Sequence, residues 1–197
     1  MIITVASFKG GVAKTTTAIH LAAYLQAKGE TLLIDGDPNR SASGWARRGE
    51  LPFKVVDERQ AAKFAPKYQH IVIDTQARPE KEDLEALVEG CDLLVLPTTP
   101  DALSLDALMQ TVSTLKSLGA DQYRILITRV PPKPRRDGEE AREMLTDAGL
   151  PVFKGSVRDA VAFQKAALAG VPVNKVADQR AKMAWRDYQH IGQEVMK

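Results

Sequence analysis

Short runs rich in aliphatic and β-branched residues alternate along this chain with longer stretches of helical periodicity. The runs at 2–6, 31–35, 70–74, 92–97 and 123–128 read as strands, with weaker ones at 53–56 and 151–153. A helix over 14–28 follows the first strand. Ile19, Leu21, Ala22, Ala23, Tyr24 and Leu25 leave it little polar face, so it should be deeply buried, with Gly29 ending it. Asp101 predicts a cap for a helix reaching about Leu118, closed by Gly119. Pro131-Pro132-Lys133-Pro134 then breaks the chain, and Ser156 with Asp159 three residues on predicts a capping box for a helix over 157–169. A last helix covers about 178–196, its stripe of Ala184, Tyr188, Ile191 and Val195 facing the sheet. The alternation implies an α/β fold: a largely parallel, twisted sheet with helices on both faces. No repeat or composition break divides it, so residues 1–197 are expected to form a single domain.

Composition adds limits. Hydrophobic residues make up 44% and charged residues 26%, as in soluble globular proteins. Apolar runs such as 93–96 are strand-sized, far short of a membrane span, and no basic-then-apolar leader opens the chain, so a cytoplasmic protein is expected. One cysteine, Cys91, rules out an internal disulfide and reads as packing. Charge is uneven: residues 1–122 carry 13 Lys and Arg against 16 Asp and Glu, residues 123–197 carry 14 against 9. A basic second half suits a polyanion, though an ordinary solvated surface would look the same.

The sharpest chemistry lies in Lys9-Gly10-Gly11-Val12-Ala13-Lys14-Thr15-Thr16, between the first strand and the buried helix. A triphosphate needs inward-pointing backbone N–H groups and cationic help. Gly10 and Gly11 clear side chains from the backbone, Lys14 can reach the β- and γ-phosphates, and Thr15 stands where Mg²⁺ is ligated. The usual G-x-x-x-x-G-K-[ST] pattern is not met, because Phe8 and Ala13 replace its glycines. Ala13 fits such a loop if its φ stays negative.

Lys9 ahead of the glycine pair resembles the deviant phosphate loop of the ParA/MinD ATPases, K-G-G-x-x-K-T-[ST]. That resemblance implies a P-loop NTPase using ATP and Mg²⁺, in which Lys9 reaches across an ATP-dependent homodimer to the partner's phosphates. Leu33-Ile34-Asp35-Gly36-Asp37-Pro38-Asn39 is similar to the family's first switch, with Asp35 supporting the Mg²⁺ shell and Asp37 orienting the attacking water. His70-Ile71-Val72-Ile73-Asp74 looks like a Walker B strand with Asp74 serving the metal; the usual Pro-Pro-Gly beyond it is absent, and Arg78 stands there instead. Thr128, Arg129 and Pro172 fall at places similar to the family's base pocket. Slow hydrolysis follows, since no separate arginine finger is recognisable.

The likeness is strongest to short ParF-like partition members. It implies nonspecific, nucleoid-associated DNA binding by the dimer and a ParB-like partner that stimulates hydrolysis, driving plasmid or chromosome segregation. Lys133, Arg135, Arg136, Arg158, Lys175, Arg180 and Lys182 are DNA-contact candidates. Two alternatives share the core: positioning of a protein cargo such as a carboxysome or chemoreceptor cluster, and a MinD-like membrane regulator. Membrane binding is not expected, because the last helix also carries Asp187, Gly192 and Glu194. An iron–sulfur reductase of the nitrogenase iron-protein type needs two cysteines per subunit.

Overall fold

The computed structural model describes residues 1–77 and 81–197. Among the described residues six strands form one sheet: β1 (Ile2–Ser7), β2 (Thr31–Asp35), β3 (Lys54–Asp57), β4 (His70–Ala77), β5 (Leu93–Thr98) and β6 (Tyr123–Ile127). Every neighbouring pair is parallel, in the order β3-β2-β4-β1-β5-β6. Strand order reverses on either side of β1, so the chain leaves β1 at the crevice where open α/β sheets bind ligands.

Helix α1 (Lys14–Gln26) leads directly out of that crevice. With α2 (Ser41–Arg48), α7 (Val161–Ala169) and α8 (Gln179–Val195) it shares a core with Ile3, Val5, Leu33, Val72, Val95 and Leu126. The alternate strand residues Leu94, Leu96, Ile125 and Ile127 point the other way, beneath α4 (Lys81–Glu89), α5 (Ala102–Ser117) and α6 (Asp137–Asp147). A third cluster, with Phe64 and Tyr68 around the short α3 (Ala61–Phe64), packs on Leu32, Ile34 and Val56 at the β3 edge. The five strong strands, the buried first helix and the Asp101 cap agree with the sequence pattern, and Gly119 follows α5 with φ +70. The stripe of Ala184, Tyr188, Ile191 and Val195 is buried in the α1 core, and no helix of the described residues is long and apolar enough to cross a membrane. Cys91 packs half-buried against the α4–α5 side.

Four expectations change. Residues 151–153 contribute an isolated bridge, Ile125 to Val152, rather than a strand. The capping box at Ser156 does not form: α7 begins at Val161, and residues 157–159 run extended, Val157 N–H bonding Ile127 O and Asp159 N–H bonding Val130 O. Gly29 is not a left-handed stop; α1 ends at Gln26 with Ala27 as its cap, and a Cβ on Gly29 would clash with Gln69 Oε1. Ala13 takes φ 62, not the negative value expected, a left-handed alanine costing about 1–2 kcal/mol. Helices α2, α4 and α6 were not marked out by periodicity.

His20 joins this framework to the crevice. Fully buried, its Nδ1–H donates to Thr16 O at 2.6 Å while Nε2 accepts from Val173 N–H at 3.0 Å, and its ring stacks on Tyr188. Burial, partly opposed by the Thr16 bond, lowers its pKa from 6.5 to about 4. The unfolded chain therefore takes up the proton first as pH falls. This contribution to stability is complete above pH 6.5, is lost as pH falls towards 4, and amounts to about 3 kcal/mol. Asp74, raised to about 6, acts in the opposite direction, so the reporting quantity is a difference. Urea unfolding from pH 7 to 4 should show the wild type losing more stability than His20→Gln; parallel curves would remove His20 as the cause.

Candidate functional site

Ser7 ends β1, and Ser7 Oγ bonds both Lys9 O (2.9 Å) and Lys9 N–H (3.1 Å), folding the chain into a loop. Gly10 and Gly11 are exposed, Gly11 has φ +84, and a Cβ at either would meet no protein atom within 4 Å. Val12 is buried beneath them and anchors the loop. The first turn of α1 has no side-chain cap and no acidic residue. Its amides, the two glycines and Lys14 form a cradle with room for phosphate.

Lys14 lies 8% exposed at the cradle floor, hydrogen-bonded to Thr75 O and Asp74 Oδ1 (3.2 Å) and 3.5 Å from Asp37 Oδ2. Asp74 Oδ2 is buried without a hydrogen-bond partner among the described residues. Burial pushes the Asp74 carboxyl up to about 6, against the pull of the Lys14 ammonium and the Thr15 hydroxyl. An orphaned carboxylate oxygen beside a threonine hydroxyl suits a hard cation that keeps much of its water, so Thr15 and Asp74 fit Mg²⁺.

Asp35 has another task. Its Oδ1 accepts from Asp37 N–H (3.3 Å) and its Oδ2 from Ser43 N–H and Oγ (2.8 and 2.6 Å), capping α2 from β2. Both oxygens are hydrogen-bonded within the single chain, so Asp35 shapes the loop that carries Asp37. Asp37 Oδ1 accepts from Asn39 N–H and Nδ2 (2.9 and 3.0 Å), leaving Oδ2 turned toward Lys14.

At the rim, Lys9 Nζ bonds Asp101 Oδ1 (3.1 Å) and Ser104 Oγ (2.8 Å) of its own chain. Despite partial burial, hydrogen bonds from Thr99, Ser104 and Lys9 hold the Asp101 carboxyl well below the usual range.

A cleft of about 370 Å³ opens beside the cradle, lined by Gly11, Ala13, Thr16, Arg129, the extended residues 157–160 and Phe163. Its size suits a small-molecule group such as a base. Arg129, with φ 51, crosses it to Gly11 O (3.3 Å) and Asp159 (3.8 Å). The other two base-pocket candidates do not line this cleft. Thr128 is fully buried, its Oγ 3.0 Å from Val12 O and Thr98 O, tying β6 to the loop. Pro172 is absent from the cleft lining and precedes the Val173 amide that bonds His20. The lining stretch 157–160 was missed because it read as helix; the available hint was β-branched Val157 at its start. Arg78 lies outside the described residues.

Three candidate DNA contacts are committed internally: Arg158 grips Asp187 with two bonds of 2.7 Å, Arg135 pairs with Asp137, and Arg136 with Glu139 and Glu143. The structure gives Lys133, Lys175, Arg180 and Lys182 exposed positions and no ion pair among the described residues.

The family described as CobQ/CobB/MinD/ParA nucleotide binding domain matches residues 3–173. The maintenance of carboxysome distribution protein A of Gloeobacter kilaueensis is 36% identical over 201 residues, covering 98% of this chain and 93% of that protein. Among solved structures, the septum site-determining protein MinD of Pyrococcus horikoshii, complexed with Mg-ADP, aligns with a TM-score of 0.72 at 19% identity, covering 100% of this chain and 96% of that one. A plasmid partition protein of Borrelia burgdorferi aligns with a TM-score of 0.71 at 19% identity, covering 99% and 97%.

Proposed function

The chain belongs to the CobQ/CobB/MinD/ParA nucleotide-binding family, and from that premise we propose that it is an ATPase that closes as a homodimer on ATP, binds DNA nonspecifically in that state, and distributes a cargo over the nucleoid. The observation that carries this reading is the pair of lysines on one phosphate loop, Lys14 buried at its floor and Lys9 at its rim.

Gly10 to Thr16 hold the phosphates through backbone N–H groups and the end of α1. Lys14 exchanges its carboxylate partners for the β- and γ-phosphates. Thr15 and Asp74 hold Mg²⁺, which when bound neutralises charge developing on the phosphates. Lys9 adds a second cation from the partner subunit. Asp37 orients the attacking water with Oδ2, while Asn39 fixes its other oxygen. Arg129 and residues 157–160 shape the base site. The protein supplies positioning and charge rather than a covalent step, which fits slow turnover governed by a partner protein of the ParB kind.

The near full-length likeness to a carboxysome distribution protein supports a protein assembly as cargo, ahead of the plasmid or chromosome expected from the sequence. Partition of DNA uses the same core and is the second reading.

DNA shifts with ATP, ADP and no nucleotide test the switch. Binding should require ATP and weaken steeply with salt. Asp37→Ala should keep ATP-dependent DNA binding while hydrolysis falls about 10²-fold, the range of a lost general base. Near-wild-type turnover would remove Asp37 from catalysis, and equal shifts with all three nucleotide conditions would sink the ATP switch.

A further inference from the structure

We propose that the outer edge of the sheet, at β3 and α3, is a phosphate-contacting surface for duplex DNA, an assignment that rests on the DNA-binding part of the proposed function. Lys54 in β3, Lys63 in α3 and Lys67 just beyond it converge on the ring of Phe64. Their ammonium nitrogens lie 3.6, 5.6 and 6.0 Å from its centroid. All three are exposed, and none makes an ion pair with an acid among the described residues. The nearby acids are engaged elsewhere: Asp57 accepts from Gln60 N–H, and Glu58 faces Arg40.

Three like charges gathered around one ring repel one another, and the ring's negative face offsets only part of that. A polyanion relieves the rest. Guarding an edge strand against unwanted pairing needs a lysine on the strand itself, which accounts for Lys54 but not for Lys63 or Lys67. Ammonium groups are compact point charges that hold phosphates without reading bases, as nonspecific binding requires. A lipid surface fits less well. Phe64 is half-buried against the cluster of Leu32, Ile34 and Val56, and among the described residues no large apolar side chain between 50 and 70 is exposed to enter a bilayer. This places a contact face in the half of the chain with a net acidic count, where charge totals pointed away from it.

The test combines Lys54→Gln, Lys63→Gln and Lys67→Gln in the full chain, with Lys→Arg at the same positions as the charge-retaining control. Binding of random-sequence duplex DNA is measured with ATP and Mg²⁺ across a salt series, beside basal ATP hydrolysis and flotation with vesicles containing anionic phospholipid. The glutamine set should lose on the order of tenfold or more in low-salt affinity, and its log–log salt slope should flatten by about three per chain. Basal hydrolysis should be unchanged, and the arginine set should bind like the wild type. Wild-type affinity and slope in the glutamine set would overturn this surface while leaving the proposed function standing. Failure of the wild type itself to bind DNA with ATP at low salt would overturn the function and this surface with it. Vesicle binding lost in the glutamine set while DNA binding persists would give the face to a membrane and overturn the proposal.

Discussion

Lys14→Ala is expected to lose nucleotide binding and, separately, to destabilise the fold. The first loss is that of a cation making charge-assisted bonds to two phosphates, on the order of hundredfold or more in affinity. The second comes from the protein alone. Lys14 lies between Asp74 and Asp37, at 3.2 and 3.5 Å, and all three side chains are 10% exposed or less. Removing one partner of a buried ion pair costs about 3–5 kcal/mol, because the charge left behind has neither water nor a counter-ion. The structure also fixes the pH dependence of this cost. Asp74 already titrates near 6, and without Lys14 it takes up a proton still more readily, so the penalty should be largest above pH 7 and shrink below pH 6. Isothermal titration with ATP and urea unfolding at pH 8 and pH 5 separate the two effects. Adding Asp74→Asn to Lys14→Ala should recover part of the stability and none of the binding. Unchanged nucleotide affinity in Lys14→Ala would sink the cradle; unchanged stability at pH 8 would show that Lys14 does not compensate the two carboxylates.

What the sequence disclosed and what it hid follow from how local each determinant is. The cradle was legible because strand, loop and helix are contiguous and each carries its own signal: a β-branched run, a glycine pair, then Lys-Thr-Thr leading an apolar helix. Asp74 was legible as the polar end of an apolar strand, and its orphaned oxygen gives that position a chemical reason. Determinants that depend on distant partners were not. Ser156 and Asp159 satisfy a helix-cap pattern locally, but the amides of Val157 and Asp159 find carbonyls at Ile127 and Val130, and that extended pairing prevails. Asp35 reads as a metal carboxylate, and its hold on Ser43, eight residues on, is not visible in the local pattern. His20 looks like a neutral helix residue, and its role as a buried tie needs the amide of Val173, distant in sequence. The Phe64 cluster needs the strand edge to bring Lys54 beside a helix residue. Ala13 shows a different limit: the left-handed φ usually given to glycine is held here by an alanine, whose strain the surrounding loop sustains.

Lys9 carries the second large effect, and its setting makes the prediction two-sided. Under the proposed function it completes the partner's site, so Lys9→Ala should bind ATP as a monomer with little change in affinity. Its dimerisation should fail, and its hydrolysis should drop on the order of 10³-fold, the scale at which a cation supplied in trans accelerates phosphoryl transfer. In the single chain, Lys9 is held by Asp101 and Ser104, with Thr99 donating to the same carboxylate. Reaching across a dimer therefore means leaving a filled set of partners. A partly exposed ion pair is worth up to about 1 kcal/mol, so releasing it should favour dimerisation by as much as about fivefold per subunit. Asp101→Asn tests this cleanly, because asparagine caps a helix about as well as aspartate and spares the start of α5. Sedimentation with ATP should show Asp101→Asn dimerising at lower protein concentration than the wild type, and Lys9→Ala not dimerising. The double variant should behave like Lys9→Ala, since the carboxylate acts only through the lysine. If Asp101→Asn dimerises less well than the wild type, the contact with Lys9 supports the dimer rather than restraining it. If Lys9→Ala hydrolyses ATP at the wild-type rate, the lysine does not complete the site at all.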